Sequence, residues 1–130
     1  MSYKSRGSKY ERDLKDLLEE LGFLAAISKA SKGHWDVCAM KAETVFGGID
    51  VPKVYAIEVK STGDKTFYTT VGENKEQYVQ IVRNARTYPW ITWLYAVRFI
   101  SGKKGKLWRI YDPLKEHIFR NTEGTNLEDL

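Results

Sequence analysis

The chain has 130 residues and a mass of 15.0 kDa, the size of one independently folding domain. With 42% hydrophobic and 29% charged residues it has apolar material for a packed interior, which argues against a disordered chain. No run approaches the roughly 18 apolar residues of a membrane span, and the basic N-terminus lacks the apolar core of a signal peptide, so a cytoplasmic protein is expected.

The residues 1–9 form a basic arm carrying Lys4, Arg6 and Lys9. Apolar residues then recur at Tyr10, Leu14, Leu17, Leu18 and Leu21, the spacing of one helix face, and Gly22 supplies a stop. Phe23 to Ser28 is an apolar run of strand length, followed by the turn-prone segment Lys29 to Gly33. Trp35 to Met40 and Lys53 to Lys60 read as two further strands joined by a glycine-containing connection. Alternation puts Val54, Ala56, Glu58 and Lys60 on one face, and Tyr55, Ile57 and Val59 on the other. Thr66 to Val71 is a more polar strand candidate, and Glu73 to about Arg86 is a helix with Tyr78, Ile81, Val82 and Ala85 as its stripe. Ile91 to Ile100 and Leu107 to Tyr111 are β-prone, joined by a basic loop with Lys103, Lys104 and Lys106. Residues from about 121 to 130 form an acidic tail. Nothing divides the chain, so residues 1–130 read as one α/β (α+β) domain, a mixed central sheet flanked by helices.

Lysine and arginine outnumber aspartate and glutamate 21 to 17, for a net charge of +4, which suggests a polyanionic partner. The lone Cys38 excludes an internal disulfide and argues against structural zinc. If the strands holding Asp36 and Glu58 pair antiparallel, the start of one faces the end of the next and the two carboxylates become neighbours. Such a pair suits a hard cation, because Mg²⁺ takes one or two carboxylates together with water and phosphate oxygens. Lys60 projects beside Glu58, either as a structural ion pair or to hold a water nucleophile and neutralise a phosphate transition state. Glu11 lies near the Leu14 and Leu18 edge of the first helix and can face inward, whereas Arg12 projects away and suits a phosphate contact.

Together these residues resemble a family, the archaeal-type Holliday junction resolvases of the PD-(D/E)XK nuclease superfamily, with a restriction-endonuclease-like core. The resemblance rests on Arg6-Gly7, Tyr10-Glu11-Arg12-Asp13-Leu14, Leu18 to Phe23, Asp36-Val37-Cys38-Ala39 and Ala56-Ile57-Glu58-Val59-Lys60-Ser61-Thr62. It implies a homodimer that cleaves four-way junction DNA with Mg²⁺, Mn²⁺ substituting, and that has no membrane and no small-molecule substrate. It implies that Asp36 and Glu58 are metal ligands with the Val59 carbonyl as a third, that Lys60 is the active-site lysine, and that Glu11 is needed for activity. Ser31 aligns with a loop serine that contributes to cleavage in some members, a turn role being the alternative. Lys4, Arg6, Arg12 and Gln77 are implied DNA contacts.

The chain departs from the family in three places. His34-Trp35 replaces the usual residues before the aspartate. Ile27 stands where many members carry a DNA-meeting arginine, so that contact is either lost or moved, with Lys29 or Lys32 as its replacement. The connection from Lys41 to Lys53 is longer than usual. The rival readings are another nuclease on the same core, acting on duplex or flapped DNA, and a non-catalytic DNA-junction-binding module. The set of Glu11, Asp36, Glu58 and Lys60 argues against the second, since pure binding has no use for carboxylates facing a phosphate backbone.

Overall fold

Leu14 and Leu18, both fully buried, anchor the first helix, and Gly22 ends it at a backbone angle (φ 94°) that favours glycine. There the Phe23 N–H reaches the Leu18 carbonyl and the Gly22 N–H that of Glu19, both at 3.0 Å. The computed structural model describes residues 3–28, 35–100 and 107–130, with the side chains of the first segment described from Lys9 onward. Helix α1 spans Tyr3–Glu20, so most of the expected basic arm is helical instead: its residues continue the helix toward the N-terminus.

The strands are β1 (Leu24–Ile27), β2 (Val37–Val45), β3 (Ile49–Thr62), β4 (Thr66–Tyr68), β5 (Ile91–Phe99), β6 (Leu107–Tyr111) and β7 (Ile118–Arg120). Helix α2 (Asn74–Thr87) lies between β4 and β5. Five strands form one sheet in the order β1-β2-β3-β5-β6. All its neighbours are antiparallel except β3 and β5, which run parallel and need the α2 crossover between them. The mixed sheet flanked by helices is therefore as expected.

Each face of the sheet has its own core. On one face α1 packs Leu14 and Leu18 against Val37, Tyr55, Ile57 and Ala96. On the other α2 packs Ile81 and Ala85 with Ala56, Trp93 and Val97, and Phe67 and Phe119 extend this core toward Tyr95 and Tyr111. Phe67 and Phe119 come from β4 and β7, which pair as a separate ribbon. The sequence reading did not include β7, a three-residue strand in a polar segment whose partner lies some fifty positions away.

The largest difference lies between residues 41 and 53. The long connection lengthens the hairpin: β2 and β3 run beyond their expected ends as a two-stranded ribbon, pairing from Lys41↔Lys53 to Val45↔Ile49 and turning through Gly47 (φ 88°) and Gly48 (φ 76°). Among the described residues neither strand has a third strand beside it there, and most of the ribbon's side chains are exposed. The acidic tail is held in place: Thr125 bridges Ile110 at 2.8 and 2.9 Å, and Leu127 is buried in the α1-side core. Among the described residues, no helix is long and apolar enough to cross a membrane.

Candidate active site

The antiparallel register of β2 and β3 builds the site. With Val37 opposite Ile57, one further step brings Asp36 beside Glu58. Two backbone bonds lock that step: the Asp36 N–H donates to the Ile57 carbonyl at 2.9 Å, and the Val59 N–H donates to Asp36 Oδ2 at 2.8 Å. The aspartate carboxylate is thus fixed on the β3 backbone between Glu58 and Lys60.

Glu58 is only 7% exposed. Burial first, then the Asp36 charge and a hydrogen bond shared with Asp36, push its carboxyl up to about 9, while Lys60 pulls the other way. The Lys60 ammonium lies 3.8 Å from Glu58 Oε1. A second partner comes from α2, where the Gln77 carboxamide donates to the same oxygen. Gln77 was expected to meet DNA; the structure turns its amide onto a carboxyl of the site. Glu11 approaches from α1, in the layer on the other side of the sheet. Burial and the Asp36 charge together raise its carboxyl above the ordinary range. Tyr95 is in register with Glu58 on the parallel neighbour β5, and burial followed by the Glu58 charge raises its phenol.

Glu11, Asp36, Glu58 and Lys60 are therefore brought together from α1, the residue before β2, and β3. Arg12 is exposed on α1, free to face a phosphate. Lys4 and Arg6 lie on the α1 backbone, but their side chains fall outside the described residues, as do Lys29, Ser31, Lys32, His34 and the loop lysines Lys103, Lys104 and Lys106. Arg109, on β6 just after that loop, donates to the Asn126 side-chain oxygen. The Gln77 contact was missed because it joins residues 19 positions apart. Its signal was topological: the crossover helix must begin over the end of β3, where a polar residue in its first turns meets the carboxylates.

Among the described residues no three acidic, histidine or cysteine side chains converge on one point. The donor set is two carboxylates on adjacent strands with the β3 peptide between them. All are hard oxygens, and this fits an ion that draws its remaining ligands from water and phosphate. A buried carboxyl that burial and the Asp36 charge keep protonated fits the same role.

The model of one protein family, described as archaeal Holliday junction resolvase (hjc), matches residues 2–130. Among solved structures the chain is similar to the 1.6 Å structure of Archaeoglobus fulgidus Hjc, a Holliday junction resolvase from an archaeal hyperthermophile. The TM-score is 0.65 and the identity 20%, over 95% of this chain and 93% of that one. At that identity the likeness carries the fold, which is restriction-endonuclease-like. No curated protein matches the chain significantly.

Proposed function

Because the chain belongs to the archaeal Holliday junction resolvase family, we propose that the cluster of Asp36, Glu58, Lys60 and Glu11 is its nuclease centre, cutting four-way junction DNA. The protein is a Holliday junction resolvase, an endonuclease of DNA recombination. The observation that carries the site assignment is the register of β2 and β3, which sets two carboxylates side by side with a lysine 3.8 Å away.

Asp36, Glu58 and the Val59 carbonyl would hold Mg²⁺, or Mn²⁺ in its place; the bound ion would supply charge stabilisation at the scissile phosphate. Lys60 holds a water in line with the bond to the 3′ oxygen. The water oxygen bonds to phosphorus, the P–O3′ bond breaks, and the 3′ oxygen leaves with a proton, giving a 5′ phosphate. Glu58 gives up its proton before it can serve as a ligand, and the Gln77 amide keeps its carboxyl aimed at Asp36. Glu11 adds negative charge on the α1 side. Arg12, Lys4, Arg6, Lys29 and Lys32 contact phosphates, so binding weakens steeply with salt. Ser31 contributes from its loop. Two symmetric cuts in a junction call for two sites, which a two-fold dimer supplies.

The test is to incubate the protein with an immobile four-way junction and with a matching linear duplex, with and without Mg²⁺, and to resolve the strands on denaturing gels. Paired symmetric nicks in the junction alone, dependent on metal, are expected. Equal cutting of both substrates would favour a nuclease of broader action, and tight junction binding without cleavage would favour a binding module.

A further inference from the structure

Beyond Lys60 the chain turns back from β3 into β4, and the turn leaves a groove beside the catalytic row. The end of β3, strand β4 and the first turn of α2 enclose about 220 Å³ there, with Ser61 and Thr62 on one side and Tyr68, Val71 and Asn74 on the other. Thr62 lies roughly 6–7 Å along β3 from Lys60. Asn74 stands three residues before Gln77, about one helical turn from the amide that holds Glu58. Groove and site therefore share one strand and one helix. A DNA strand that sets a phosphate at Lys60 brings the groove within reach of the next one or two nucleotides, which stack about 3.4 Å apart.

The lining decides what the groove can hold. Among the described residues it carries no lysine or arginine, and the Asp64 carboxylate repels a phosphate, so the ligand that fits is uncharged. Its volume is below the roughly 300 Å³ at which pockets take drug-sized molecules, which leaves room for one flat group. Tyr68 supplies a flat wall. Phe67 before it turns into the core against Phe119, so alternation points Tyr68 outward, where it is 51% exposed with no other ring against it among the described residues. The backbone beneath that ring is fixed. The Asn74 amide donates to the Tyr68 carbonyl at 3.3 Å, Tyr68 pairs with Ile118 of β7, and the Thr69 N–H donates to the His117 carbonyl at 3.4 Å. An open aromatic face on a held backbone is what base stacking uses, and it tolerates any sequence because every base has a π-face.

We propose that this groove takes one unstacked base of the cleaved strand, with Tyr68 stacked against it. The inference rests on the proposed nuclease centre and deepens it by naming where a base beside the scissile phosphate goes. The Ser61 and Thr62 hydroxyls and the Asp64 carboxylate face the edge of that base with hydrogen-bonding groups. At a branch point the stack of each arm is already interrupted, so a base there costs least to extrude, whereas the same base in a linear duplex must first be unpaired and unstacked. The groove therefore favours cutting close to the branch and separates junction from duplex without reading sequence.

The test couples Tyr68 to the base. Cut positions in an immobile four-way junction are mapped first, and single abasic nucleotides are then placed at each of the two positions on either side of the scissile phosphate. Single-turnover cleavage of every junction is measured for the wild type, Tyr68→Phe, Tyr68→Ala and Tyr68→Leu, the last keeping apolar bulk without a π-face should the alanine variant fold poorly. On the intact junction Tyr68→Ala and Tyr68→Leu are expected to be slower by about 5- to 100-fold and Tyr68→Phe to stay within about twofold of wild type. At one abasic position that loss is expected to vanish, because the base Tyr68 would stack on is gone, and at the others to persist. Leucine at the wild-type rate, phenylalanine as slow as leucine, or a loss that persists at all the abasic positions overturns the base groove and leaves the nuclease centre standing. A wild type that cuts no junction with Mg²⁺ or Mn²⁺ overturns both.

Discussion

At one end of the β2–β3 hairpin the strands carry Glu58 and Lys60 beneath α2. At the other, the same two strands run on uncovered to Phe46, with Glu43 and Lys53 on their surface. Each end holds one lysine–glutamate pair, at 3.8 Å in the site and 3.9 Å on the ribbon. The distances are nearly equal, so the difference between the pairs is one of cover. In the open the pair is screened by water and contributes at most about 1 kcal/mol. Under cover, beside Asp36, the glutamate keeps its proton up to about 9, a proton that a metal ion bound there would displace. A shared hairpin thus yields chemistry at one end and ordinary surface at the other.

Substituting the two lysines gives the sharpest break in that comparison. Lys60→Ala is expected to lower single-turnover junction cleavage by about 10²- to 10⁴-fold with junction binding retained, and Lys53→Ala to leave it unchanged within about twofold. Gln77→Ala, which removes the amide from Glu58, is expected to cost about 10- to 100-fold in activity or metal affinity, a loss that raised Mg²⁺ partly rescues.

Acidity separates the ends as well. The Glu58 carboxyl is ionised above 4.5 in the unfolded chain but holds its proton to about 9 in the metal-free fold. The folded state therefore binds the extra proton between those values. Its contribution to stability is complete below 4.5 and is lost as pH rises toward 9, with a slope of up to about 1.4 kcal/mol per pH unit. Thermal melts of metal-free protein across this range should show that decline, and Glu58→Gln should flatten it. By the same linkage Mg²⁺ affinity should rise with pH, with a proton released on binding. The smallest effect belongs to the ribbon turn: Gly48→Ala meets no atom within 4 Å, so it should cost only the backbone term, about 1–2 kcal/mol, and leave cleavage unchanged.

The readable part of the molecule was the part where residues do two jobs at once. Asp36 and Glu58 lie near the ends of strands whose alternation is visible, so antiparallel pairing was enough to bring them together. Glu11 was legible because Leu14 and Leu18 fix the buried face of α1. The length of the hairpin was legible in the long connection but the extent of its strands was not, because its exposed residues bury no face, and β7 was not, because its burial depends on Phe67 in distant β4. Of Trp90, Trp93, Tyr95 and Trp108, the last three are buried in the core and Trp90 is exposed. The role of Gln77 depended on the crossover, which places α2 above the end of β3.

The central claim is that Asp36 and Glu58 act as one unit. Single-turnover cleavage of a four-way junction by Asp36→Ala, Glu58→Ala and the double variant, all at saturating Mg²⁺ and with binding measured in parallel, tests it most directly. Both single variants should fall to the same floor, the double variant should be no slower, and all three should still bind the junction. Near wild-type cleavage by either single variant, or losses that multiply in the double variant, would contradict it.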